Sequence, residues 1–267
     1  METYIELLVN PYLVDFDICR KRSLAVLKSW IARWCDPRPD LSKLAPNAPF
    51  CVIGDIHGRF DLLTRLLERL DPAYQVICVG DYIDRGDNSA EVLRYLFGQP
   101  EMLCLMGNHE DMLLRFLDDP EQNGGLWLRN GGLQTLASFG VWDVSETASG
   151  GALLRARDAL LVALGEDLVG WLRGLPKWYQ SGNLFVSHAG ANPQIPLQEQ
   201  QDRHLVWGHP EFANARRNDG NWVLHGHTIV EMPEIHSGRI CVDTGAYATG
   251  RLTAALVRQG IVNFIST

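Results

Sequence analysis

Three stretches decide how this chain folds: FCVIGDIHG at residues 50–58, QVICVGDYIDRG at 75–86 and MLCLMGNHE at 102–110. Each is a short run rich in Val, Ile, Leu or Cys that reaches a glycine and passes at once to Asp, Asn or His. Runs this short, bounded by turn residues, predict buried strands that stop where the polar side chains begin. The theme returns in LFVS before His188, WVL before His225 and RICV before Asp243. Leu62, Leu63, Leu66, Leu67 and Leu70 mark one helical face between the first two runs, and Val92, Leu93 and Leu96 mark another after the second. Strands alternating with helices give an α/β class. LTAALVRQGIVNFI at 252–265 predicts a closing hairpin about Gln259 and Gly260.

Working outward, the stretch from about residue 111 to 177 carries Trp127, Trp142 and Trp171, leans helical, and lacks the strand-then-polar unit. It predicts a helical insertion capping one end of the sheet. Upstream, Leu24, Leu27, Trp30, Ile31 and Trp34 fall at helical spacing and are followed by the proline-rich DPRPDLSKLAPNAP. Residues 1–45 are therefore expected to be an N-terminal helical extension and linker, and residues 46–267 the domain that carries the chemistry.

With 24 basic and 32 acidic residues the chain has a net charge of −8. Sequence-independent nucleic-acid binding requires a basic face, and none is visible, so no nucleic-acid partner is expected. No apolar stretch approaches bilayer-spanning length and the first residues lack the basic and apolar regions of a signal peptide, which predicts a cytoplasmic protein without a membrane partner. Cys51, Cys78, Cys104 and Cys241 sit singly inside apolar runs, so they read as small core hydrophobes, not as disulfides or zinc ligands. No cysteine is followed six positions later by an arginine, which argues against covalent thiol chemistry on phosphate.

The polar groups at the predicted strand ends are Asp55 and His57, Asp81 with Asp84 and Arg85, Asn108 and His109, His188, and His225 and His227. The carboxyl ends of strands are where α/β sheets place their sites, so these groups should share one edge. Asp55 and His57, two positions apart in a turn, can converge on one ion. The donors are oxygen and imidazole without thiolate, a set suited to Mn, Fe or Zn outside a closed structural zinc site. Two aspartates, an asparagine and three histidines are too many for one tetrahedral ion and about right for two. His225, just before the turn that bears His227, reads as a buried supporting histidine, and Asp243 as a residue that orients loops.

The set GDIHG, GDYIDRG, GNHE, SHAG, HGHT and DTGA resembles the phosphoprotein phosphatase branch of the calcineurin-like metallophosphoesterases, in particular its bacterial and phage-type serine/threonine phosphatases. The resemblance runs from about Phe50 to the C-terminus. It implies a two-sheet β-sandwich flanked by helices, with two divalent metal ions between the loop ends of the sheets. It implies further that Asp55 and His57 bind the first ion, that Asp81 bridges both, and that Asn108, His188 and His227 complete the second. His109 would be the general acid, Asp84 would hold its ring, and Arg85 would fork onto the phosphate oxygens.

One position departs from the family pattern. The segment LVWGHPEF places His209 where a second phosphate-holding arginine is expected, so His209, Arg216 or Arg217 would have to take that part. The implied activity is phosphomonoester hydrolysis by direct attack of metal-bound hydroxide, on a phosphorylated protein or small phosphoester, with manganese as the first choice of metal. DTGAYATGRLTA and NGGLQTL favour a serine/threonine protein phosphatase. Hydrolysis of dinucleoside tetraphosphates is the alternative within the same chemistry, and a catalytically silent phospho-ligand-binding module the alternative outside it.

Overall fold

A computed structural model describes residues 41–267; the expected N-terminal helix lies outside them. Ten strands and nine α-helices follow one another among the described residues. In chain order they are β1 (Phe50–Ile53), α1 (Phe60–Leu67), β2 (Gln75–Cys78), α2 (Ser89–Phe97), β3 (Leu103–Cys104) and α3 (Asn108–Asp118). Next come α4 (Pro120–Trp127), a π-helical turn (Leu128–Gly132), α5 (Leu133–Ser138), α6 (Gly151–Leu164) and α7 (Glu166–Gly174). The chain continues through β4 (Trp178–Ser181), β5 (Leu184–Ser187), α8 (Asp202–Trp207), β6 (Trp222–His225), β7 (Glu234–His236) and β8 (Arg239–Cys241). It closes with α9 (Ala246–Thr249), β9 (Thr253–Arg258) and β10 (Ile261–Ser266). All six expected strands form, and so does the closing hairpin.

The strands make two mixed five-stranded sheets, ordered β10-β9-β1-β2-β3 and β4-β5-β6-β8-β7. β1, β2 and β3 run parallel, as do β5, β6 and β8, while β9, β10, β4 and β7 pair antiparallel at the flanks. Side chains alternate across each sheet. Phe50 and Val52 of β1 enter a core shared with Val186, Leu224 and Ile240 of the second sheet, whereas Cys51 and Ile53 face the helices. Cys78 and Cys104 are register partners on that same helical side, and all four described cysteines are buried and free. The reading of these residues as core hydrophobes holds.

Helix α1 forms because Leu62, Leu63 and Leu66 make one stripe, and each is buried. Burying a leucine contributes about 1.5–3 kcal/mol, enough to order a helix too short to persist alone. The helices of the insertion do more than cover one end. Leu113, Phe116, Trp127, Leu136, Leu160 and Leu172 join one continuous core with the leucines of α1, the apolar side of α2 and the outer face of the first sheet. They form a single layer with α1 and α2, and that layer reaches the carboxyl ends of the strands.

Candidate metal and phosphoester site

The parallel strands of both sheets end on the same side, and the turns after β1, β2, β3, β5, β6 and β8 carry the predicted residues. These turns are sharply bent. His57, Asp81, Asp84, Arg85 and His227 all have positive φ, between 46° and 70°, and they are five of the seven described non-glycine residues that do. Such conformations cost of order 1–3 kcal/mol each and gather where side chains must be aimed. Gly226 meets a separate demand, since any Cβ there would run into the Asp55 carboxylate.

Asp81 lies at the centre. Its Oδ1 accepts the backbone N–H of His109 at 3.0 Å, at the N-terminus of α3, where the helix dipole favours an anion. Two groups of possible metal donors share it: His57, Asp81 and His109, and Asp81, His188 and His227. Asn108 completes the second group, with its Oδ1 2.9 Å from His188 Nε2 and 2.8 Å from His227 Nδ1. The two imidazole nitrogens lie 3.2 Å apart, and His188 Nε2 is 3.4 Å from Asp81 Oδ1. The amide oxygen and the carboxylate only accept, and each neutral imidazole has one proton for two nitrogens, so this pocket holds more lone pairs than protons. A cation is what such a donor set fits.

The remaining donors lie alongside. His57 donates from Nδ1 to the Ile83 carbonyl at 2.8 Å, which leaves Nε2 as an acceptor 3.6 Å from Asp81 Oδ2. Asp55 joins neither group: its two oxygens accept the backbone N–H of His227 at 3.0 and 3.2 Å, and it lies against Asp243. Burial, then the charges of Asp243 and Asp81, raise the Asp55 carboxyl well above its usual range.

The imidazoles divide by protonation. Burial draws His57 down to about 3 and His188 to about 4, and lowers His227, so all three are neutral at pH 7, each with one unprotonated ring nitrogen. His109 goes the other way. Burial lowers it, but Asp81 and the hydrogen bond to Asp84 outweigh that and raise its pKa. Burial likewise raises Asp81, yet the nearby His188, His109 and His57 hold its carboxyl below its usual range. Groups of one kind are thus driven apart by their surroundings.

Asp84 is fully buried and holds His109 Nδ1 at 2.6 Å. Its own supports come from the insertion and were not legible in advance. Thr135 donates its hydroxyl to Asp84 Oδ1 at 2.6 Å, and the Trp127 indole N–H reaches both oxygens at 3.0 and 3.1 Å. The Asp84 N–H returns to Thr135 Oγ1 at 2.9 Å. Gly131, at φ 106°, lies so near the Arg85 backbone that a Cβ would approach its nitrogen to 2.6 Å. Glu110 was missed too. Buried completely, its carboxylate accepts the N–H groups of Asp81, Tyr82 and Gly107 at 2.8, 2.8 and 3.0 Å, and burial followed by Asp81 pushes it up to about 8. A Gly-x-x-Glu start to a helix is the signal that would have found it.

Of the expected phosphate-holding residues, Arg85 reaches the centre, with Nη1 3.0 Å from His57 Nε2. His209 packs its ring on His204 at 4.7 Å, and its Nδ1 accepts from the Glu211 N–H at 3.3 Å. Arg217 is tied to Asp219 and to the carbonyls of Asn192 and Ile195, and Arg216 lies on the surface by Pro193 and Leu197. His225 is buried against Phe212, and Asp243 accepts the Gly245 N–H at 2.8 Å while backing Asp55.

The two sheets bring possible metal donors together at their shared end, and residues 48–231 match the calcineurin-like phosphoesterase family. The chain belongs to that family and is a hydrolase of phosphoric esters that uses divalent metal ions. It is 28% identical to serine/threonine-protein phosphatase 2 of Escherichia coli (strain K12), over 76% of this chain and 89% of that protein. It is 26% identical to the asymmetrical bis(5'-nucleosyl)-tetraphosphatase of Bacillus velezensis, over 76% of this chain and 86% of that one. Among solved structures, the cold-active protein-tyrosine phosphatase of a psychrophilic Shewanella shares the fold with a TM-score of 0.53 and 18% identity, covering 85% of this chain and 84% of that chain. Among the described residues no helix is long and apolar enough to cross a membrane.

Proposed function

We propose that the chain is a serine/threonine protein phosphatase that works in the cytoplasm with a pair of manganese ions. Asp55, His57 and Asp81 would hold one ion, and Asp81, Asn108, His188 and His227 the other. When bound, the ions would supply Lewis acidity toward the phosphoryl oxygens and toward an attacking water. The residues of the chain do the rest. Arg85 offers a planar fork to phosphoryl oxygens. His109, held by Asp84 through Nδ1, presents Nε2–H to the departing alkoxide and gives up that proton as the ester bond breaks.

The observation that carries the reading is the His109–Asp84 pair, 2.6 Å apart and beside two donor groups that share Asp81. A module that only bound phosphate would have no use for a buried acid oriented in this way. The protein-phosphatase reading is supported by the Escherichia coli relative and the tetraphosphatase reading by the Bacillus relative, at close identities. Purified protein loaded with Mn²⁺ should release phosphate from a phosphoserine peptide faster than it cleaves a dinucleoside tetraphosphate, and lose both activities on chelation. The reverse order of rates would transfer the assignment to nucleotide hydrolysis; activity that survives complete metal removal would end both.

A further inference from the structure

Arg85 stands in a contradictory position. Its Nη1 donates to His57 Nε2 at 3.0 Å, the lone pair that the proposed function assigns to a metal ion. One lone pair cannot serve a guanidinium and a cation together. Arg85 must therefore leave His57 whenever that nitrogen binds metal, and something must keep the long side chain at the centre once it does.

Tyr247 is placed to do this. The Arg85 Cζ lies 4.7 Å from the centroid of the Tyr247 ring, over its face, within the range of a cation–π contact. The same ring stands edge-on to His57, with centroids 5.2 Å apart and planes at 82°. Tyr247 sits in α9, after β8, and is half-buried, so its ring forms part of the wall of the site. A guanidinium lying on an aromatic face keeps its edge N–H groups free, because the contact uses the plane of the cation and leaves the fork in that plane open. It can turn on the ring from His57 toward an anion without crossing open water.

We propose that Tyr247 is the positioning residue for Arg85: its ring face holds the guanidinium at the mouth of the metal pocket and lets it exchange His57 Nε2 for phosphoryl oxygens. This rests on the phosphatase reading above. Arg85 contacts the donors directly, through His57, whereas the Arg217 guanidinium is tied to Asp219 and to backbone carbonyls.

The test measures inorganic phosphate binding to the Mn²⁺-loaded protein by titration calorimetry, beside kcat and KM on an aryl phosphate. Tyr247→Leu keeps apolar bulk and removes the ring face. It should weaken phosphate binding and raise KM by roughly 2- to 30-fold, the range that a cation–π contact supports, with a smaller change in kcat and an unchanged metal content. Tyr247→Phe keeps the face and should recover most of the loss. In an Arg85→Ala background, Tyr247→Leu should add little. Three results would overturn the proposal: equal weakening by Phe and Leu, which would assign the effect to the hydroxyl; the same weakening with Arg85 absent; or unaltered phosphate binding in Tyr247→Leu. Should the leucine variant not fold, Tyr247→Gln in the same two backgrounds gives the same coupling. Phosphate binding by the unaltered protein without turnover would defeat the phosphatase reading and leave this one standing to be judged.

Discussion

Replacing Trp127 with phenylalanine would isolate what the insertion does for catalysis. Trp127 is fully buried and packs against Phe116 with the rings tilted at 35° and centroids 4.7 Å apart, and phenylalanine keeps most of that contact. What it removes is the indole N–H between the two oxygens of Asp84, at 3.0 and 3.1 Å. A hydrogen bond to a charged group is worth about 1.5–3 kcal/mol, and here no water can replace it. The missing ring atoms leave roughly 40 Å³, which at about 24 cal/mol per Å³ costs a further 1 kcal/mol or so. Stability should therefore fall by about 2.5–4 kcal/mol, measured as a shift in the urea midpoint at constant slope. Trp142→Phe provides the control: that ring is 69% exposed, and its replacement should stay within about 0.5 kcal/mol.

The kinetic consequence has a definite sign. With one donor fewer, Asp84 is a stronger acceptor for the His109 Nδ1–H, so the imidazolium holds its proton more tightly and is a poorer acid. The pH above which kcat declines should move upward, and kcat at neutral pH should fall by about 10-fold, less than the 10²–10⁴-fold that loss of general acid catalysis brings. Metal content should not change, because Trp127 touches no donor. A variant with wild-type kcat and an unmoved pH profile would show that the indole does not bear on the His109–Asp84 pair, and the supporting role of the insertion would fall.

His109→Asn should leave two metal ions bound, by elemental analysis, while lowering kcat by about 10²- to 10⁴-fold; wild-type turnover would remove His109 from its role. At pH 9, where Glu110 is ionised, Glu110→Gln replaces an oxygen that accepts a buried backbone N–H with an amide that donates, and should cost about 2–4 kcal/mol by urea denaturation together with reduced metal occupancy. Saturating Mn²⁺ at about 100 times its Kd should raise stability by about 2.7 kcal/mol per independent site, read from the same denaturation curves; no shift would contradict the donor assignment. With chelator present, stability should decline from pH 6.5 to 8. Glu110, ordinarily near 4.5, is raised to about 8 in the folded protein, which therefore binds the extra proton and loses that advantage as pH climbs. His57 and His188, lowered to about 3 and about 4, add stability only up to the ordinary histidine pKa, so they do not offset the decline above it. A rising curve across that window would refute the assignment.

Much of the site was legible because its signal is local. A strand that ends in glycine and then aspartate or histidine shows both where the sheet stops and what stands at its edge, within ten residues of sequence. Thus the turns after β1, β2, β3, β5 and β6 could be read one by one. The supports were not legible for the opposite reason. Thr135 and Trp127 meet Asp84 across 51 and 43 residues, and what brings them there is the packing of α5 against α2 and of α4 against α3 and α6. No periodicity encodes which side of a helix will meet a turn from another part of the chain. Tyr247 and Arg85 pose the same problem across the two sheets. His209, whose place in the sequence suggests a phosphate contact, is set locally by ring packing on His204 and by the Glu211 N–H.

The distribution of strain explains why a phosphoesterase site should enlist the helical layer at all. Five side chains at the centre sit on left-handed backbone, each at a cost of order 1–3 kcal/mol. Turns alone would relax. Asp81 and Tyr82 are held by the Glu110 carboxylate at the start of α3, Asp84 by Ser89 and Thr135 at the starts of α2 and α5, and Arg85 by the close approach of Gly131. Each strained residue from the β2 turn is thus gripped by a helix whose own apolar face is buried in the common core. Loosening that core should then reach the site before it unfolds the sheets. Leu136→Ala, in a helix with no donor residue, should reduce metal affinity and turnover under conditions where the protein remains folded, whereas Leu224→Ala, between the sheets, should lower stability with a smaller effect on either.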